Sequence, residues 1–159
     1  MIRALEHLSD IPSASIQLAG DFRPSALSDE LQALPAWGAV HYHGQVGRVE
    51  VARILDRVIA GLVTLHPRPN YIDSYPIKMF EYMSAGLPVI ASDFPLWRQI
   101  IEDTGCGILV DPLKPQSIAD AMRWILNHPS EAEAMGQRGL RAVEEVYNWN
   151  LESTKLVKL

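Results

Sequence analysis

Three charged residues near the middle of the chain are spaced to handle a phosphorylated, hydroxyl-rich ligand. Asp73 closes a loop, Lys78 follows it, and Glu81 lies eight positions after Asp73. Between the two acids, Pro76 marks the start of a helix, because proline is tolerated at the first helical position, where its missing N–H has no helical partner. A helix N-terminus presents free backbone N–H groups and partial positive charge, a ready site for phosphate. The two carboxylates repel phosphate, so they must face neutral hydroxyls. A ligand with phosphates in its middle and polyols at both ends satisfies the whole set, and a nucleotide-sugar is such a ligand.

The elements that would hold these residues read as strand, loop, helix, strand over residues 61–93. Gly61 to Leu65 is a short apolar run suited to a strand. His66-Pro67-Arg68-Pro69-Asn70 is turn chemistry. Residues 76–85 form a helix with Ile77, Phe80 and Met83 expected on its apolar face, and Lys78 and Glu81 on another. Gly86 stops it. Pro88 to Ser92 is a second buried strand.

The rest of the chain continues the alternation. Residues 1–10 predict a short amphipathic helix, 15–20 a strand, 25–34 a helix ended by Pro35, and 40–44 a strand. A helix is expected over 48–60, with Val51, Ile54, Leu55 and Val58 inward. Further helices are expected at 95–103 and 115–127, with a strand at 106–110 between them. Ser130-x-x-Glu133 has the form of a capping box opening a helix to about Tyr147. Trp149 and Leu151 would begin a last short helix. Five strands with intervening helices imply an α/β, Rossmann-like, doubly wound and mostly parallel sheet with helices on both faces. Such sheets bind ligands beyond the carboxyl ends of their strands, where the Asp73 loop falls.

Composition sets the bounds. The chain has 159 residues, 48% hydrophobic and 21% charged, with a net charge of −5. That is one soluble domain, and the acidic balance argues against a nucleic-acid partner. The single cysteine, Cys106, excludes an internal disulfide and a cysteine zinc site; at the start of an apolar run it reads as a buried thiol. His41, His43 and His128 are not grouped with acids at ligand spacing, so no metal and no cofactor is expected. His66 reads as a turn residue, and the four tryptophans as packing residues. No leader sequence is evident, and no apolar run approaches the roughly 18–20 residues of a membrane span. The expected compartment is the cytoplasm.

The run Asp73-x7-Glu81, followed by Tyr-Met-Ser-Ala-Gly-Leu-Pro-Val-Ile-Ala-Ser, resembles the acidic-x7-Glu signature of the group 1, retaining, GT-B fold glycosyltransferases. There the signature is commonly followed by Glu-Ala-Met-Ala-x-Gly-x-Pro-Val-Ile-Ala-Ser. The resemblance implies the carboxyl-terminal, donor-binding half of a two-domain enzyme that moves a hexose from a nucleotide-sugar to an acceptor hydroxyl with retention. It puts Asp73 on the donor hexose, Glu81 on the ribose hydroxyls, and the backbone amides of Ile77 and Lys78 on the diphosphate. Tyr75 joins the substrate-binding set, and Val46, in the loop after the second strand, would lie by the nucleobase. Asp73, Lys78 and Glu81 are the implied catalytic residues. The implied partners are the donor, a sugar or lipid-linked sugar acceptor, and an amino-terminal acceptor domain missing from these residues. Without that domain the isolated chain is expected to be inactive. Peripheral attachment to the inner face of the membrane through the missing half is left open.

Three departures stand out. Asp73 replaces the usual Glu and is one methylene shorter. Pro76 stands where glycine is frequent and supplies no N–H, a loss that the Lys78 ammonium could offset. The family's first strand, expected at the middle of the sheet, is absent. Two other readings remain: a GT-B-like nucleotide-sugar epimerase and a non-catalytic nucleotide-sugar-binding module.

Overall fold

The computed structural model describes residues 1–24 and 26–148, so the helix expected from Trp149 and Leu151 lies outside the described residues. The chain opens with a 3₁₀ helix over Ile2–Leu8. It continues through β1 (Ile16–Ala19), α1 (Ala26–Gln32), a second 3₁₀ helix (Pro35–Ala39), β2 (Val40–Gly44), α2 (Arg48–Leu55) and β3 (Gly61–Val63). Then follow α3 (Pro69–Ile72), α4 (Ile77–Ser84), β4 (Val89–Ser92), α5 (Pro95–Thr104), β5 (Gly107–Val110), α6 (Pro115–Asn127) and α7 (Pro129–Glu145).

Among the described residues every strand pairing is parallel, as the strand–helix alternation requires. The strands nevertheless form two ladders, β1-β2 and β3-β4-β5, rather than one. β4 lies at the centre of the larger ladder and is buried at all four residues. Its side chains alternate between two cores. Val89 and Ala91 pack with Met79, Met83, Trp97, Ile100, Ile101 and Cys106 on one face, while Ile90 packs with Ile16, Val110, Ile118, Met122 and Ile125 on the other. That two-residue period explains why Pro88 to Ser92 reads as a continuous apolar run.

Among the described residues proline starts four of the α-helices, at Pro69, Pro95, Pro115 and Pro129. Gly105 ends α5 in the left-handed conformation, at φ 62°.

Five local expectations are corrected. The stretch after His66 does not stay a turn: Pro69 opens α3, whose Tyr71 and Ile72 N–H groups donate to the Arg68 carbonyl at 2.8 and 3.1 Å. Pro76 is the N-cap of α4 rather than its first residue. The apolar face of α4 is Met79 and Met83, both fully buried, whereas Ile77 is 75% exposed. The reason is phase. Steps of three residues drift by about 60° around a helix, while Met79 and Met83, four apart, stay within about 40°. Helix α2 ends at Leu55, short of Val58. The capping box is not formed, because α7 starts two residues earlier than Ser130 as N-cap would require, at Pro129 with His128 as its N-cap, leaving Ser130 inside the first turn.

Candidate functional site

The site is built where β3 and β4 end. Beyond β3 the chain turns through Leu65 and His66 into α3, and Asp73 is the residue that closes α3. Two side chains anchor this stretch from beneath. Ser92, fully buried at the end of β4, donates its hydroxyl to the Leu65 carbonyl at 2.7 Å. Trp97 of α5, also fully buried and packed on Phe94 with ring centroids 4.7 Å apart, donates its indole N–H to the Ser74 carbonyl at 2.7 Å. The Ser74 hydroxyl donates back to the Tyr71 carbonyl at 3.2 Å. The peptide that follows Asp73 is therefore held by the core, while the Asp73 side chain stays exposed.

Pro76, at φ −77° and ψ 113°, hands this loop to α4. The Met79 N–H donates to the Pro76 carbonyl at 2.9 Å. No protein acceptor is bonded to the N–H groups of Ile77 and Lys78 among the described residues. Among the described residues no side chain caps this helix, and no acid occupies its first turn. The two amides are free for an anion, with the exposed Lys78 beside them.

Asp73, Lys78 and Glu81 form no side-chain hydrogen bond or ion pair among the described residues. Lys78 and Glu81, three apart on one helix, leave each other unpaired and both line a cavity of about 540 Å³. Tyr82 shares that wall. Burial first, and then the negative charge of Glu81, push the Tyr82 phenol above its ordinary pKa. Tyr75 is 60% exposed, with its ring 6.3 Å from that of Phe80, which in turn meets Tyr147 at 5.2 Å. Ile77 stands exposed at the helix start. Val46 is half-buried in the loop after β2 and is not among the residues lining the cavity with Lys78 and Glu81. Asp73, Tyr75, Ile77, Lys78 and Glu81 thus belong to one loop–helix unit, and Val46 to another segment of the fold.

Two features of the site were not read from the sequence. One is the Trp97–Ser74 hydrogen bond, which ties α5 to a loop more than twenty residues earlier and leaves no local signal. The other is the contact between Gly61 and Tyr82: a Cβ on Gly61 would sit 2.1 Å from the Tyr82 ring. A glycine opening a buried strand was a visible hint of close approach. The remaining candidates are structural. Cys106 is fully buried, and burial raises its thiol pKa. His43 Nε2 hydrogen-bonds Gln17 Oε1 at 2.7 Å, and His128 stacks on Trp124 with centroids 4.6 Å apart. Trp37 packs with Phe22 and Tyr42. No helix among the described residues is long and apolar enough to cross a membrane.

The family model described as "Glycosyl transferases group 1" matches residues 1–142. Among curated relatives, the D-rhamnosyltransferase WbpZ of Pseudomonas aeruginosa is 30% identical over 99 residues, 62% of this chain and 25% of that protein. Sucrose synthase of Solanum tuberosum is 28% identical over 119 residues, 72% of this chain and 15% of the enzyme. The fold matches sucrose-phosphate synthase of Thermosynechococcus elongatus with a TM-score of 0.77 at 23% identity, over 99% of this chain and 41% of that one. It also matches Anabaena HepE, solved in complex with UDP, with a TM-score of 0.79 at 17% identity, over 99% of this chain and 44% of that one. This chain belongs to the group 1 glycosyltransferases. It spans about a quarter or less of the length of the two curated relatives named here.

Proposed function

We infer that this chain binds the nucleotide-sugar donor of a retaining glycosyl transfer. The observation that carries the reading is the pair of N–H groups at Ile77 and Lys78 that have no partner among the described residues, beside a lysine and a glutamate that are likewise unpaired among them. The diphosphate takes the two amides and the Lys78 ammonium. Glu81, one turn along the helix, accepts hydrogen bonds from the ribose hydroxyls. Asp73, held at the loop end by the Trp97–Ser74 bond, meets the hydroxyls of the hexose, and Tyr75 borders it. Val46 is assigned to the nucleobase side. The likeness to HepE, a protein solved with UDP, is compatible with a uridine nucleotide.

In the transfer, the bond between the anomeric carbon and the diphosphate oxygen breaks as a sugar or lipid-linked acceptor hydroxyl attacks, and the hydroxyl proton passes to the departing diphosphate. The departing diphosphate gains negative charge. N–H groups and a cation fixed beforehand around it lower the barrier, because they need no reorganisation as the charge appears. The acceptor side belongs to polypeptide outside these residues, and the isolated chain is a donor-binding unit. Residues Asp73 and Glu81 orient the donor and act as no nucleophile. An epimerase would use the same donor contacts, but the rhamnosyl- and sucrose-forming relatives favour transfer.

Calorimetric titration of the chain with UDP, GDP and ADP tests the reading. One diphosphate should bind. Glu81→Ala should remove charge-assisted hydrogen bonds of about 1.5–3 kcal/mol, weakening Kd by about 10- to 150-fold. Binding that is indifferent to both Glu81→Ala and Lys78→Ala, or no binding to the folded chain, would overturn it.

A further inference from the structure

We propose that Tyr82 is a positioning residue of the donor site: its ring, seated on the bare backbone of Gly61, fixes the roll of α4 and so the place of the Glu81 carboxylate. What that carboxylate holds rests on the donor reading; the seating of the helix does not.

Helix α4 is eight residues long, and it carries Lys78, Glu81 and the two amides that have no partner among the described residues. A helix so short owes its stability and its orientation to the contacts on its sides. Successive residues stand about 100° apart around it. Met79 and Met83, in the core with Trp97, Ile100 and Cys106, define the inner face. Phe80 and Tyr82 fall about 80° to either side of that face, and Glu81 about 180° from it. The two shoulders are closed differently. Phe80 meets the Tyr147 ring with centroids 5.2 Å apart, one movable side chain against another. Tyr82 meets main chain: a Cβ on Gly61 would overlap its Cγ and Cδ2 and lie 2.7 Å from its Cδ1. Gly61 is itself held, since it is buried and its N–H donates to the Pro88 carbonyl at 2.9 Å, at the head of the β3–β4 ladder. The Tyr82 main chain is held as well: its carbonyl accepts the Leu87 N–H at 3.0 Å as the chain turns toward β4. Alanine follows the second acid in the signature quoted above, so this wedge is not part of that signature.

Glu81 is where a roll is felt most. A helix with its side chains is about 5–6 Å in radius, so a roll of about 10° carries the carboxylate about 1 Å. That is enough to break a hydrogen bond of ordinary length. The amides of Ile77 and Lys78 lie nearer the axis and move less than half as far. Lys78 has a long, flexible stem that can follow its ligand. Tyr82 and Glu81 line the same cavity, and the negative charge of Glu81 is felt at the Tyr82 phenol. Tyr82 therefore acts through Glu81, by placing it.

The test uses the whole 159-residue chain as wild type, Tyr82→Ala, Tyr82→Phe, Gly61→Ala and Leu8→Ala. The last opens a cavity in the opposite core and supplies a destabilised control. Backbone N–H residual dipolar couplings over Ile77–Ser84 give the roll of α4 with no ligand present. Tyr82→Ala should roll the helix by about 10°. Gly61→Ala, which pushes the ring outward, should roll it the opposite way, and Tyr82→Phe and Leu8→Ala should leave it in place. Calorimetry with UDP, GDP and ADP reads the consequence. Tyr82→Ala should weaken the diphosphate that binds by about tenfold, and Tyr82→Phe and Leu8→Ala by less than about twofold. In a Glu81→Ala background, Tyr82→Ala should cost nothing further. An α4 that stays put in Tyr82→Ala or in Gly61→Ala, or that moves as much in Leu8→Ala, overturns the proposal; if Tyr82→Ala does not fold, Gly61→Ala decides alone. Unchanged affinity in Tyr82→Ala, or a loss that persists undiminished without Glu81, overturns it too. If none of the three diphosphates binds the folded wild type, the donor reading fails, and the couplings still decide whether Tyr82 seats the helix.

Discussion

Replacing Trp97 by Phe isolates the bond that positions the Asp73 loop. The substitution keeps an aromatic ring against Phe94 but deletes the indole N–H that donates to the Ser74 carbonyl at 2.7 Å. Leaving that acceptor unmatched costs about 1–3 kcal/mol. The smaller ring in a fully buried site adds about 1 kcal/mol, by analogy with the loss of a methylene or two from a packed core. The sum is about 2–4 kcal/mol. Urea unfolding measures it, with Ile101→Val as a control that trims the same core without touching the loop and should cost about 0.5–1.5 kcal/mol. Hydrogen exchange of residues 73–77 gives the local readout: the loop amides should exchange faster in Trp97→Phe at conditions where the control is unchanged. If Trp97→Phe costs no more than Ile101→Val and leaves the loop amides alone, the indole does not position the loop, and the placement of Asp73 must come from α3 alone.

Other consequences can be measured on the same material. Gly61→Ala would place a methyl 2.1 Å from the Tyr82 ring; a loss of about 1–3 kcal/mol is expected, and adding Tyr82→Ala should cost less than the sum of the two single changes in a double-mutant cycle. Ser92→Ala removes the hydroxyl that holds the Leu65 carbonyl and should lower stability by about 0.5–1.5 kcal/mol in urea unfolding. The Arg123 guanidinium hydrogen-bonds Asp10 and holds its carboxyl below the usual range. The stability gained is present above the unfolded carboxylate pKa near ~3.9 and is lost as pH falls through the lower folded value. The difference between wild type and Arg123→Met should therefore be constant near neutrality and shrink in that acid window, as read from urea midpoints. Cys106, buried and with its thiol pKa raised, should react with iodoacetamide only at the rate of opening, so labelling should accelerate in step with unfolding in denaturant.

The chain's pattern alone determined the class of fold and the placement of most elements. Strand β4 is legible because burial on both faces makes Val89 to Ala91 continuously apolar, and α5 and α6 because proline starts them and their apolar positions keep helical spacing. The charged set Asp73, Lys78 and Glu81 is a local feature of one loop and one helix, so its spacing can be read directly, whereas the Ile77 and Lys78 amides were implied by the family resemblance and their freedom is seen only in the structure. What depends on contacts between distant segments was not legible. The phase of α4, with Met79 rather than Ile77 inward, is decided by which face meets β3 and β4. The hold of Trp97 on Ser74 and of Tyr82 on Gly61 joins residues more than twenty positions apart. The break between β1 and β3 is also a tertiary fact: each strand alone is an ordinary apolar run, and only their arrangement shows two open edges facing one cavity. Local chemistry follows from neighbours in sequence, whereas packing phase and ladder continuity are set by partners that the chain brings together only on folding.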